Sequence, residues 1–338
     1  MRSHMLQLLS LFLLLSLLTG CGQTDIPSAE VPKADALSAS KESHYTEPVT
    51  PSSQASLEQE TAALDTAPAM FSGIPETTAS GVLEKKNQKA VIDYSNIKDG
   101  YVMVQYTAQT SKRLKVQVKG PTTTYTYNLA QGQWTVFPLS DGNGSYQVSV
   151  YQNITGSKYT NELSQSFQVT LENEFAPFLR PNQYVDYKAS SQTVAKAEEL
   201  TKDLTDPLKK VAAIYDYVVK NLSYDYEKAA TVQSGYLPVL DTVLAQKKGI
   251  CFDYASLMTG MVRSQGIPCK LVVGYAGTAY HAWISVWTEE SGWVDNVIFF
   301  DGTSWQRMDP TFASSGKQSA SAMAYIGNGA NYTAKYLY

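Results

Sequence analysis

The sequence predicts a multidomain chain, with an all-β sandwich over residues 85–175 and an α+β domain over residues 185–338. Three observations carry this. Apolar and polar residues alternate with period two from Lys85 to Leu171. An apolar stripe at helical spacing begins at Leu208. A helix opening at Cys251 is then followed by several strand-like runs. Strands first, and a helix-led mixture of helices and strands afterwards, fit an α+β arrangement with an antiparallel sheet.

Ahead of both units lies a leader and a spacer. Arg2 precedes an apolar run from Leu6 to Leu18, closed by Leu18-Thr19-Gly20-Cys21. A short charged region, an apolar core and small residues at its end make a secretory signal over residues 1–20. The core is short for a transmembrane helix. The four closing residues resemble the lipobox of bacterial lipoproteins. That resemblance implies cleavage before Cys21, diacylglycerol on its sulfur, and anchoring on the extracytoplasmic side of a bacterial cell membrane. Two acyl chains anchor stably where one binds only marginally.

Residues 21–84 are rich in Ser, Thr, Ala, Pro and Glu, and hold ten acids against two lysines. Such a segment cannot bury enough apolar area to offset its ordering entropy, and reads as a self-repelling tether. The whole chain carries −4, so the acidity belongs to the tether. The folded part is mildly basic, too weakly to point to nucleic acid.

In the first unit the expected strands are Tyr101–Tyr106, Leu114–Val118, Thr124–Tyr127, Trp134–Phe137, Tyr146–Val150 and Ser166–Leu171. Lys98-Asp99-Gly100, Gly120-Pro121 and Asp141-Gly142-Asn143-Gly144 supply the turns. Short strands with turns at this spacing suggest an antiparallel sandwich, similar to immunoglobulin or fibronectin domains. The alternating tyrosines are expected to be sheet packing.

In the second unit Thr193–Leu204 is a polar helix. Asp206-Pro207 gives an N-cap and a proline at the first helical position. Leu208, Val211, Ala212, Tyr215, Val218, Val219 and Leu222 follow as a core-facing stripe. A short helix is expected from Pro238 to Lys248, ended by Gly249. Cys251 opens the next, with an apolar face of Ala255, Met258, Met261 and Val262, stopped by Gly266-Ile267-Pro268. Lys270–Tyr275 and His281–Trp287 read as strands, and Asn296–Phe300 with Ser304–Asp309 as a hairpin.

Three cysteines occur in the chain. With Cys21 the lipid site, Cys251 and Cys269 would form a disulfide by default in an exported protein. Helix length argues against it. Cys269 follows the far end of a helix about 20 Å long that starts at Cys251, while a disulfide needs Cα atoms within about 7 Å. Cys251 is therefore expected to be a free thiol and Cys269 a small buried apolar residue.

A cysteine at a helix N-terminus feels the positive end of the macrodipole and free backbone N–H groups, both of which favour the thiolate. The same N–H groups can stabilise an oxyanion. His281 is the sole histidine after His44 and thus the candidate base. Asp309, at a strand end, is the candidate group to orient it.

Gly249-Ile250-Cys251-Phe252-Asp253-Tyr254-Ala255, Gly266-Ile267-Pro268 before Val272-Val273-Gly274-Tyr275, His281-Ala282-Trp283 and Met308-Asp309-Pro310-Thr311 resemble, in order, the core of the transglutaminase-like superfamily. The likeness covers residues 205–315. It implies a papain-like fold, with Cys251 as nucleophile, His281 as base and Asp309 as orienter. The chain has no recognisable calcium-ligand loop, and no cofactor or metal is expected. Thiolate attack on an amide carbonyl would give an acyl-thioester, with proteins or cell-wall peptides as substrates. The aromatic oxyanion residue of the animal enzymes has no unambiguous match, Tyr224 and Tyr226 being the candidates. The competing reading is a non-catalytic surface-binding or envelope-structural module that keeps the fold.

Overall fold

The computed structural model describes residues 73–289, 292–294, 299–300, 305–306, 311 and 331–338. The signal, most of the tether, Cys21 and Asp309 lie outside the described residues.

Eight strands form the first unit: β1 (Glu84–Lys86), β2 (Ala90–Asp93), β3 (Tyr101–Tyr106), β4 (Leu114–Lys119), β5 (Thr124–Leu129), β6 (Thr135–Pro138), β7 (Gly144–Thr155) and β8 (Lys158–Val169). They make two antiparallel sheets, in the orders β1-β2-β3-β6 and β5-β4-β7-β8. Alternation decides which side chains go inside. Leu114, Val116 and Val118 are buried while Lys115 and Gln117 between them are not. Ile92, Val102, Val104 and Phe137 of one sheet share a core with Val116, Tyr127, Val148 and Val150 of the other. The β7–β8 hairpin runs well beyond the expected Tyr146–Val150 and Ser166–Leu171, turning at Gly156, whose φ of 53° suits glycine.

The second unit begins with α1 (Gln192–Thr201) and α2 (Pro207–Asn221). The Asp206 carboxylate caps α2, accepting from Leu208 N–H at 2.8 Å and Lys209 N–H at 3.4 Å. There follow β9 (Ser223–Tyr224), α3 (Tyr226–Thr231), α4 (Leu240–Gln246), β10 (Lys248–Gly249) and α5 (Cys251–Ser264). The strands β11 (Cys269–Ala276), β12 (Ala279–Thr288), β13 (Gly292–Val294), β14 (Phe299–Phe300), β15 (Trp305–Gln306) and β16 (Tyr332–Leu337) complete it. The main sheet has the order β13-β12-β11-β16, all antiparallel. β14 and β15 form the two arms of the expected hairpin, pairing Phe299 with Gln306 and Phe300 with Trp305.

Two expectations need correcting. The helix expected to run to Lys248 and stop at Gly249 ends at Gln246, with Lys247 in the left-handed region at φ 52°. Gly249 instead joins a parallel pair, opposite Tyr224. A Cβ there would lie 2.6 Å from the Asp253 Cβ, so this approach requires glycine. Nor does α5 bury one face alone. Every residue from Phe252 to Arg263 is buried, because α1, α2 and α4 pack around it together with β11 and β12. A helix enclosed on all sides no longer shows an amphipathic period.

Arg263, 1% exposed, is held by main-chain oxygens. Its Nε donates to Cys269 O at 2.8 Å, Nη1 to Arg180 O at 2.7 Å and Nη2 to Tyr338 O at 2.6 Å. The guanidinium thereby ties α5 to three separate stretches of chain. The tyrosines of β5 do pack rather than line a ligand face, and they pack across the junction of the units. Tyr125 and Tyr127 stand edge-on to Tyr338 at 5.6 and 5.8 Å, and Tyr127 stacks on Tyr184 at 5.7 Å.

Candidate active site

Cys251 is the first residue of α5 and is partly exposed, as its free thiol requires for chemistry. The residue before it, Ile250, occupies the N-cap position with extended backbone (φ −94°, ψ 175°). Isoleucine offers no side-chain acceptor, so it cannot cap the N–H groups of the first turn as serine or aspartate would. The other half of a cap is present. Asp253 reaches back to accept the Ile250 N–H at 2.9 Å. The fold thus leaves donors at the helix start available to a developing oxyanion while fixing the peptide that precedes the thiol.

The parallel β9–β10 pair, Ser223 with Lys248 and Tyr224 with Gly249, sets Tyr224 beside this turn. Burial raises the Tyr224 phenol above its ordinary value, and the Cys251 charge raises it further. The phenol is therefore a neutral donor near the thiol. Tyr226 is 70% exposed and meets Tyr224 edge-on at 4.9 Å. Of the two tyrosines, Tyr224 is the one the structure brings to the cysteine.

His281 lies on β12, 6% exposed, paired in register with Gly274 of β11. Its level follows from geometry. α5 rises about 20 Å over its length, and β11 returns antiparallel to it, about 17 Å from Cys269 to Gly274. The Gly274–His281 pair consequently stands near the height of Cys251. Cys269, Leu271, Val273, Ala282 and Ile284 join the core around α5, and the Cys269 sulfur lies 3.8 Å from Thr259 of that helix. The His281 ring stacks 6.2 Å from that of Trp283, two residues further along the strand, and Trp283 packs with Val272 and Tyr332. Cys251 and His281 are thus carried by two elements, α5 and β12, that pack together. Asp309, outside the described residues, has no place in this geometry.

Cys269 is wholly buried, and burial pushes its thiol up to about 12. It behaves as the expected apolar core residue, separated from Cys251 by the length of α5. Near the site, the features that escaped the sequence reading include the α3 helix and the pairing of Asp253 with Lys228 at 2.7 Å. Their signals were slight, a six-residue polar helix and one acid in an apolar run.

Comparison with known proteins bears on residues 194–310, which match the family model described as the transglutaminase-like superfamily. An uncharacterized protein of Bacillus subtilis, YebA, is 23% identical over 180 residues, 47% of this chain and 24% of that protein. A protein-glutamine gamma-glutamyltransferase of Pseudomonas aeruginosa is 30% identical over 115 residues, 30% of this chain and 17% of that one. The chain therefore spans less than a quarter of the length of each of these relatives. Among solved structures, the periplasmic domain of TgpA from Pseudomonas aeruginosa, bound to ethylmercury, aligns at 19% identity with a TM-score of 0.32. That alignment covers 74% of this chain and 79% of that one.

Proposed function

This chain belongs to the transglutaminase-like superfamily through residues 194–310, and from that premise we propose that it is a thiol enzyme acting on amide bonds of proteins or cell-wall peptides. The observation that carries the reading is the setting of Cys251. It is a partly exposed free thiol on the first turn of an enclosed helix, next to uncapped N–H groups and the Tyr224 phenol.

In the proposed reaction the Cys251 thiolate attacks an amide carbonyl, and the oxyanion is received by the helix N–H groups and Tyr224. The tetrahedral intermediate collapses to a thioester as the C–N bond breaks. His281, oriented by Asp309, gives its proton to the departing amine or ammonia. Water or a second amine then attacks the thioester, losing a proton to His281 and releasing Cys251. Water gives hydrolysis; an amine gives transamidation. The eight-strand unit, read as an immunoglobulin- or fibronectin-like sandwich, and the acidic tether would hold this domain out from a membrane anchor at Cys21.

The second reading is a non-catalytic binding module that keeps the fold. Catalysis requires the imidazole to reach the thiol; a binding module does not. Incubation of the full chain with glutamine- and cell-wall-type peptides, with and without an amine donor, separates the two. The enzyme reading expects ammonia release, amine incorporation or cleavage, lost on Cys251→Ala and reduced at least about 100-fold by His281→Ala. Turnover that survives Cys251→Ala, or none with any of these substrates, refutes it.

A further inference from the structure

A polar cluster centred on a fully buried carboxylate sits against the first turn of α5. Asp253 is 0% exposed. Its Oδ2 accepts from the Ile250 N–H at 2.9 Å and from the Lys228 ammonium at 2.7 Å, and its Oδ1 accepts from the Tyr236 hydroxyl at 2.6 Å. Lys228 also hydrogen-bonds the Tyr236 hydroxyl and lies over that ring, 4.2 Å from its centroid. A carboxylate taken out of water without such partners would be strongly disfavoured in its charged form. The cluster is closed from outside α5, by a lysine on α3 and a tyrosine in the following loop.

The lysine is itself placed by the segment that carries Tyr224. Asp225 caps α3, accepting the Lys228 N–H at 3.0 Å and pairing with Lys248 at 3.1 Å, while its own N–H donates to Gly249 O at 2.9 Å. The chain before the thiol and the chain beside it are thus locked together through Lys228 and Asp253. Asp253 puts a negative charge two residues from Cys251. Unopposed, that charge would disfavour a thiolate.

We propose that Lys228 is a positioning residue for Cys251, closing the Asp253 carboxylate so that the first turn of α5 is held and the adjacent negative charge is cancelled. The inference rests on the reading of Cys251 as an activated nucleophile. The other titratable group beside the thiol is Tyr224 on β9, which burial keeps neutral. The remaining charges nearby, Asp225 and Lys248, pair with each other.

The test is the pH profile of Cys251 alkylation by iodoacetamide in the folded full chain, with each variant checked for native circular dichroism. Lys228→Gln keeps a donor to Asp253 but removes the charge. Its profile is expected to move upward by about one pH unit, a roughly tenfold loss of rate at neutral pH. Lys228→Arg should stay within about threefold of wild type. Lys228→Gln combined with Asp253→Asn, which removes both charges, should return most of the loss. A role confined to stability would move none of these profiles in this pattern. A Lys228→Gln profile superimposed on an activated wild-type profile overturns the inference and leaves the nucleophile standing. A wild-type profile no different from that of the urea-unfolded chain overturns the nucleophile, and this inference with it.

Discussion

Gly274→Ala should detach β16 from the sheet. The argument is one of space. A Cβ at Gly274 would lie 2.1 Å from the Thr333 carbonyl oxygen, 2.9 Å from Trp283 Cη2 and 3.0 Å from Ala334 Cα. Close carbon–oxygen contacts lie near 3.3 Å, so the strand must withdraw by about 1 Å. The obstacle is backbone, which cannot rotate away as a side chain can. The β11–β16 register already shifts between Val273 and Gly274, an irregularity that lets the two backbones approach there. Withdrawal would break two or so ladder hydrogen bonds, at about 1 kcal/mol each, and add overpacking strain of about 1–3 kcal/mol. The expected loss is about 3–5 kcal/mol, a large part of the stability of a typical domain. Urea unfolding followed by tryptophan fluorescence measures it, since Trp283 packs edge-on against Tyr332 of β16 at 5.3 Å. With a slope of about 2–3 kcal/mol/M, the midpoint should fall by about 1–2.5 M. A midpoint within about 0.2 M of wild type would refute the close seating of β16 against Gly274.

Two further predictions follow from titrating groups. At pH 7.5 a thiol pushed up to about 12, as Cys269 is by burial, is ionised to about 3 parts in 100,000, against roughly a tenth for an ordinary thiol. Mass mapping of a brief alkylation should therefore find Cys251 labelled at least about 1,000-fold faster, and comparable labelling of Cys269 would refute its burial. Asp241 accepts from Thr193 Oγ1 at 2.7 Å, Thr193 N–H at 2.8 Å and Gln192 N–H at 3.1 Å. Burial alone would raise its carboxyl, but these bonds outweigh it and the net shift is downward. A depressed folded value contributes stability that is present above the unfolded value of about 3.9 and disappears as pH falls through the folded one. Asp241→Asn should thus lose stability at pH 6 and show a shallower acid dependence below pH 4 in urea titrations. An unchanged pH slope would rule this out.

Where the chain states its structure plainly, it does so through a period or a cap. Asp206-Pro207 marks the start of α2 and Cys251 that of α5, and Leu114–Val118 alternates as a half-buried strand must. The parallel pair of β9 and β10 is only two residues on each side, too short for any period, so nothing local announces that Tyr224 comes to lie beside the cysteine. β12 fails for the opposite reason. Its residues from His281 to Val286 are buried on both faces, so polar–apolar alternation never shows which way His281 points. The motif order named the histidine; its register opposite Gly274 of β11 is set by the fold. Likewise Asp253 reads as one acid in an apolar helix until Lys228 and Tyr236 are brought to it from elsewhere in the chain.

Arg263 has a consequence for how the molecule comes together. Its three acceptors belong to the connector at Arg180, to the start of β11 and to the chain just beyond β16. Until all three are docked, the guanidinium enters the interior short of partners, and burying α5 is correspondingly uphill. More than fifty residues separate β11 from β16, its neighbour in the sheet, and closing that separation is a slow, non-local step. Collapse of the helix and arrival of the strand are therefore coupled into one cooperative event. A partly folded chain has no native helix start, and the thiol acquires its surroundings only when assembly is complete.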